Sequence, residues 1–245
     1  MKAHARLTAE LDAGTGRTVL RELTSMAPLT LFPKRGGRAA RVHLVNSATT
    51  PLGGDELLLT VRVGPGATVN LSGVAATLAL PGQNGEASSA TTRFEIAEGG
   101  CVEYLPEATV VTARARHTAT LSAELAPDAR FRAREVLVLG RSGECPGSLT
   151  TYTQLTRAGV PLLRQQLAIG DAELHRSPAY LAGRRVLATE ILVWGEDPAE
   201  PVSGDWWSLT PLAAGGCLAT ALAADAVTAM RDLDTARLQH PAWSR

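Results

Sequence analysis

Three carboxylates in this chain of 245 residues stand where a strand would be expected to carry an apolar side chain. Asp55 follows Pro51-Leu52-Gly53-Gly54 and precedes Leu57-Leu58-Leu59. Glu107 closes Tyr104-Leu105-Pro106-Glu107, and Glu135 stands immediately before Val136-Leu137-Val138-Leu139. A carboxylate in such a place is costly to bury unless something pairs with it. One account is purely local: Asp55 caps a turn through neighbouring backbone N–H groups, and Glu135 pairs with Arg132, Arg134 or Arg141. Taken one residue at a time, this is the better account. The other is a line of acidic groups in a polar passage, whose oxygen atoms would hold a metal ion only weakly.

Other chemistry is sparse. Nucleophilic catalysis on a strand-to-helix elbow would show as G-x-S-x-G, which does not occur. A phosphate-cradling loop needs converging backbone N–H groups at a helix start. The nearest approach, Gly64-Pro65-Gly66, has no helix after it. Tight metal sites announce themselves by close ligand pairs such as C-x-x-C. The histidines (His4, His43, His117, His175, His240) and cysteines (Cys101, Cys145, Cys217) are all isolated, so no tight site is expected. Cys101 and Cys217 read as small core residues, and His117, among Arg114, Arg116 and Thr118, reads as part of a solvated edge.

Charge and composition exclude further classes. Lys+Arg 24 against Asp+Glu 24 leaves no basic footprint for nucleic acid or an anionic membrane. Phe 3, Trp 4 and Tyr 3 are too few for a base-stacking platform or an aromatic sugar cleft. The opening residues Met1 to Leu7 do not enter the apolar run of an export signal. No apolar stretch is long enough to span a bilayer, and an odd number of distant cysteines fits a reducing compartment. A cytoplasmic location is expected.

The elements that must position these residues are strands. Alternating segments flank tight turns, and the pattern recurs about every thirty residues. The first unit is Leu59 to Val63, Gly64-Pro65-Gly66, Thr68 to Leu71; the second is Arg93 to Ile96, Glu98-Gly99-Gly100, Cys101 to Leu105. A third joins Thr120–Leu125 to Phe131–Leu139 through Pro127-Asp128. A fourth joins Tyr152–Thr156 to Leu162–Ile169 through Arg157-Ala158-Gly159. Each unit reads as a hairpin that cannot bury its apolar face alone, so stacking is expected. The fold class is mainly β, a stacked solenoid-like body in a single domain over 1–245, although a sandwich would give nearly the same spacing. Leu222, Ala226, Ala229, Met230 and Leu233 recur at helical spacing and predict one helix from about Asp225 to Leu238. After it, Trp243 either folds back on the body or meets another protein.

At these residues the sequence resembles the urease accessory protein UreD family, called UreH in some organisms. The resemblance rests on Leu52-Gly53-Gly54-Asp55 followed by Val63-Gly64-Pro65-Gly66-Ala67, on Tyr104-Leu105-Pro106-Glu107-Ala108-Thr109, and on Glu135 through Gly140-Arg141. It implies a non-enzymatic β-helical scaffold that joins UreF and the GTPase UreG, docks on apo-urease and passes Ni2+ to its active site. It implies no tightly bound cofactor, only nickel in transit. Asp55, Glu135 and Glu107 become candidates for the passage. Gly53 and Gly54 would make a turn, while Tyr104, Leu105, Pro106, Gly140 and Arg141 would be structural or contact a partner, as would Trp243. The chain departs from the family at Val74-Ala75-Ala76-Thr77-Leu78 and at Arg164-Gln165, where one acidic position of many members is neutral. The competing classes are a β-solenoid enzyme acting on a polysaccharide with paired carboxylates and an unrelated interaction module.

Overall fold

The structure, a computed structural model, describes residues 1–170 and 177–243, so His175 and the tail residues Ser244 and Arg245 lie outside the described residues. Two sheets face one another. One runs β14(Val160–Ile169), β13(Ser148–Arg157), β11(Arg116–Leu125), β8(Ser88–Ile96), β5(Glu56–Val63), β1(Lys2–Asp12), β2(Arg17–Thr24). The longer runs β16(Val202–Ser203), β17(Trp207–Pro211), β18(Cys217–Ala223), β15(Val186–Val193), β12(Arg130–Leu139), β9(Cys101–Leu105), β6(Thr68–Gly73), β4(Ala40–Asn46), β3(Leu29–Lys34). The short strands β7(Thr77–Ala79) and β10(Thr109–Val111) form a further parallel row that joins the longer sheet at β12.

The chain coils between the sheets, and this corrects the hairpin reading of the first three units. β5 and β6 flank Gly64-Pro65-Gly66 but belong to different sheets, as do β8 and β9, and β11 and β12. Each strand finds its neighbour one coil away and in parallel: β5 with β8, β8 with β11, β11 with β13. Period-two alternation says which face of a strand is buried but not which strand lies beside it, so the pattern was equally compatible with either partner. The fourth unit is the antiparallel hairpin expected, turning through Ala158 and Gly159, both at positive φ as a tight hairpin turn requires.

Parallel register places like residues in rows across the interior. Val61, Phe94, Ala123 and Leu155 make one row; Val69, Val102 and Phe131 face it from the other sheet. All seven are buried, and Phe94 touches Phe131 with ring centroids 5.2 Å apart. Antiparallel β15, β18 and β17 then extend the long sheet, and its outer surface is covered by α2(Ala226–Arg237). Asp225 caps that helix by accepting from Thr228 N–H at 2.9 Å, and Ala229, Leu233 and Ala236 face the sheet, as the helical spacing predicted. A second short helix, α1(Pro178–Leu181), precedes β15.

Phe131 is fully buried at the junction of both rows. Phe131→Ala is therefore expected to cost about 3–5 kcal/mol, read as a lower midpoint in urea denaturation. A loss under 1 kcal/mol would mean that the facing rows do not form the main core.

Candidate functional site

The interior is apolar at both ends and hollow between them. One buried cluster fills the end near the Gly64 and Gly100 turns, with Val63, Ile96 and Leu125. Another, containing Val111, Leu137, Leu139 and Leu149, fills the opposite end. Between them lies a cavity of about 530 Å3. Its floor is a single cross-strand row, Leu59, Thr92, Leu121, Thr153 and Gln165, passing through β5, β8, β11, β13 and β14. The facing row is Tyr104, Ala133, Ile191 and Leu218 on β9, β12, β15 and β18. Four strand spacings of about 4.8 Å make the floor about 19 Å long, measured along the solenoid. The cavity therefore runs from coil to coil and not along any one strand.

Glu135 is the charge at its centre. On β12, Phe131, Ala133 and Glu135 share the interior face by alternation, so a carboxyl group occupies the next interior place after two apolar side chains. The arginines expected to pair with it are engaged elsewhere. Arg132 points to the other face, to Glu190 at 2.8 Å and Glu103 at 2.8 Å; Arg141 pairs with Glu144 at 2.9 Å; Arg134 donates to the Pro106 carbonyl at 3.2 Å. The pairing account of Glu135 is thus overturned. Burial alone pushes its carboxyl up to about 7.

Asp55 follows the local account. Its Oδ2 accepts from Thr50 Oγ1 and Leu52 N–H, both at 2.9 Å, and its Oδ1 pairs with the Met1 amine at 2.7 Å. Burial acts to raise its pKa, but the amine and these hydrogen bonds outweigh it and hold the carboxyl below its ordinary value. Asp55 does not line the cavity, whereas Thr50 and Pro51, which it fixes in place, do. Gly53 makes that loop possible: a Cβ there would stand 2.3 Å from Gly82 N. Gly54, at φ +87°, makes the turn that the sequence assigned to it.

The Tyr104-Leu105-Pro106-Glu107 motif builds one wall. Tyr104 packs on Phe94 at 5.2 Å; burial raises its phenol pKa, with the Glu135 charge adding to this and a hydrogen bond to Thr92 opposing it. Leu105 ends β9 half-buried. Glu107 is exposed but lines the cavity, and Gly73 lies so close that a Cβ would meet Glu107 N at 2.6 Å. Gly140, at φ +76°, turns the chain after β12, and Arg141 stays on the surface with Glu144.

One residue departs from its sequence reading. His117 is 6% exposed and lines the cavity; its Nδ1 lies 2.8 Å from Ser88 Oγ. The arginine-rich surroundings suggested a solvated edge, but Arg116 and Thr118 alternate with it and point the other way. Burial drives its pKa down to about 4, the bond to Ser88 opposing this, so the ring is neutral at pH 7. Trp243, for which folding back and partner contact were both open, folds back on the body, its ring centroid 5.3 Å from that of Trp194 in a tilted pair and 5.1 Å from that of His240 edge to face. The cavity thus joins a neutral imidazole, a carboxyl group that ionises near neutrality and a set of threonines. It can offer a cation weak, reversible ligands, and Glu135 exchanges its proton close to pH 7.

That proton has a measurable sign. The native carboxyl keeps it up to about pH 7, whereas in the unfolded chain it leaves at about 4.3. Between those values the unfolded state is the first to ionise, so the Glu135 contribution to stability falls as pH rises and stays low above 7. Glu135→Gln, which cannot ionise, is expected to gain about 1–3 kcal/mol on the wild type across that interval. Denaturant titration from about pH 4 to 8 measures it, and a difference independent of pH would show that the native carboxyl ionises normally.

Comparison with known proteins accords with this architecture. Residues 2–244 match the family described as "UreD urease accessory protein". "Urease accessory protein UreD 1" of Saccharopolyspora erythraea is 59% identical over 246 residues, covering 98% of this chain and 96% of the relative. "Urease accessory protein UreD" of a Parafrankia species is 38% identical over 262 residues, 96% of this chain and 87% of the relative. The protein of that name from Streptomyces avermitilis is 38% identical over 243 residues, 96% of each chain. With the match spanning residues 2–244 and relatives up to 59% identical over almost the whole length, the chain belongs to the UreD urease accessory protein family.

Proposed function

We propose that this protein is a non-enzymatic scaffold for urease maturation in the cytoplasm, joining UreF and the GTPase UreG and docking on apo-urease, and that Ni2+ passes through it. Nickel is cargo in this reading and no cofactor is tightly bound. The observation that carries it is the buried carboxyl of Glu135 inside a cavity that crosses the coils. A transit path must hold an ion weakly enough to release it, and one buried carboxylate with a neutral imidazole and hydroxyls, and a second carboxylate only at the exposed Glu107, is a weak, oxygen-rich set. Glu107 belongs at a mouth of the path because it is exposed and lines the same cavity. Asp55 serves by shaping the wall, since its carboxylate is committed to Thr50, Leu52 and the amine of Met1. Gln165 marks the far end of the floor, on the outermost strand β14.

The test is co-expression of the tagged chain with UreF, UreG and apo-urease, reading assembly by pull-down and nickel-dependent urease activity in the same preparations. Glu135→Gln removes the charge, and Gln165→Trp, at an exposed position, narrows the end of the path without disturbing the core. Each is expected to lower activation by about tenfold, equivalent to about 1.4 kcal/mol, with the complex intact. Wild-type activation in both variants would refute the path. A chain that binds none of the three partners and leaves activation unchanged would refute the scaffold.

A further inference from the structure

On the far side of the long sheet from this cavity, three side chains from separate parts of the chain converge. Asp197 comes from the connection between β15 and β16, Cys217 opens β18, and His240 follows α2. Their ligand atoms all lie within 4.8 Å of one another. Cys217 Sγ donates to Asp197 Oδ1 at 3.4 Å, and His240 Nε2 stands 3.6 Å from the same oxygen. Ligands held about 2.0–2.3 Å from a tetrahedral ion lie about 3.3–3.8 Å apart, so two of the three edges already have that spacing. The carboxylate is held from behind, where its Oδ2 accepts from Gly216 N–H at 2.7 Å, the kind of outer support that orients metal ligands.

An independent observation comes from His240 itself. The residue is 0% exposed. Its Nδ1 accepts from Ala242 N–H at 3.2 Å, but its Nε2 is buried and has no hydrogen-bond partner among the described residues. At 3.6 Å the aspartate oxygen is beyond hydrogen-bond range, and an orphaned buried polar atom is destabilising. That atom faces the Asp197 and Cys217 ligand atoms. None of the three residues lines the cavity. Strand alternation separates the two places, since Leu218 faces the cavity while its neighbour Cys217 lies in the apolar layer under α2.

We propose that Asp197, Cys217 and His240 form a buried binding site for a divalent transition ion of the Ni2+, Zn2+ or Co2+ class, fastening the segment after α2 to β18. One sulfur, one nitrogen and one carboxylate oxygen suit borderline metals and not Mg2+ or Ca2+, which want oxygen throughout. Loading releases the thiol proton of Cys217 to solvent, moves the His240 ring proton to Nδ1 in place of the long Ala242 contact, and leaves a fourth position for water. Asp197, whose side chain is 24% exposed, is the side open to solvent. The site does not depend on nickel transit through the cavity.

The test uses the full reduced chain, stripped with chelator and titrated with Co2+, Zn2+ and Ni2+ alone. The expected result is one equivalent bound, with Co2+ giving a thiolate-to-metal charge-transfer band that Zn2+ displaces and Mg2+ does not. Because no cysteine lines the cavity, the band separates this site from any ion held there. Cys145→Ser, at an exposed position, is expected to keep the band and Cys217→Ser to lose it. Asp197→Asn is expected to weaken Co2+ binding at least about 10-fold. Near-UV circular dichroism of the Trp194–Trp243 pair reports whether each variant is folded. If Cys217→Ser does not fold, Asp197→Asn decides alone. Binding of Co2+ without the band, or equal affinity in the wild type and a folded Asp197→Asn, would overturn the site.

Discussion

The structure depends on one constraint: each coil must repeat, in parallel register, the interior face of the coil before it. Parallel strands take their partners from one coil away, so a side chain on β8 meets its counterparts on β5 and β11 and nothing local. Where the row is apolar, as from Val61 through Phe94 to Ala123 and Leu155, the result is a continuous core. Where the row contains Thr92 and Thr153, and the facing strand supplies Glu135, the same rule makes a continuous gap. The cavity is therefore not a defect in one strand. It is what a polar row becomes when it is stacked.

The same constraint leaves the outer face of the long sheet free for other work. On β12 the residue alternating with Ala133 and Phe131 is Arg132, which reaches Glu190 through two hydrogen bonds and Glu103 through a third. Arg237 of α2 approaches Glu190 at 3.7 Å, and both arginines lie near the Trp243 ring. A buried ion group of this kind adds little net stability over apolar packing, but losing one partner leaves a charge stranded. It acts as a key that admits the C-terminal helix in one position. Within the same layer lie the three ligand side chains, so helix docking and assembly of that cluster are one event.

Much of the fold was legible because it rests on local patterns. Alternation marked the strands, Asp225 and the spacing from Ala226 to Leu233 marked the helix, and Gly54 marked its turn. Pairing was not legible, since a period of two carries no information about which strand lies alongside; hence the hairpins read into units that are coils. The site divided in the same way. Glu135 stood out because a carboxylate beside Val-Leu-Val-Leu is locally anomalous. His117 did not, because its neighbours are charged and only the strand's facing, set by tertiary packing, turns it inward. Asp197, Cys217 and His240 are far apart in sequence, and no spacing rule could have joined them.

Glu135 gains its meaning from what does not touch it. On the outer face a carboxylate as deeply buried as Glu190 is met by two arginines, Arg132 at 2.8 Å and Arg237 at 3.7 Å. One alternation away, Glu135 meets threonines and a cavity, and its charge is conditional on pH near 7. A permanent anion in a narrow channel would bind a divalent cation tightly and hold it; a permanently neutral acid would not attract one at all. A carboxyl group balanced between the two states attracts the ion by losing a proton and can release it by regaining one. Among the described residues no salt bridge fixes that charge, and the nickel transit proposed above draws on this.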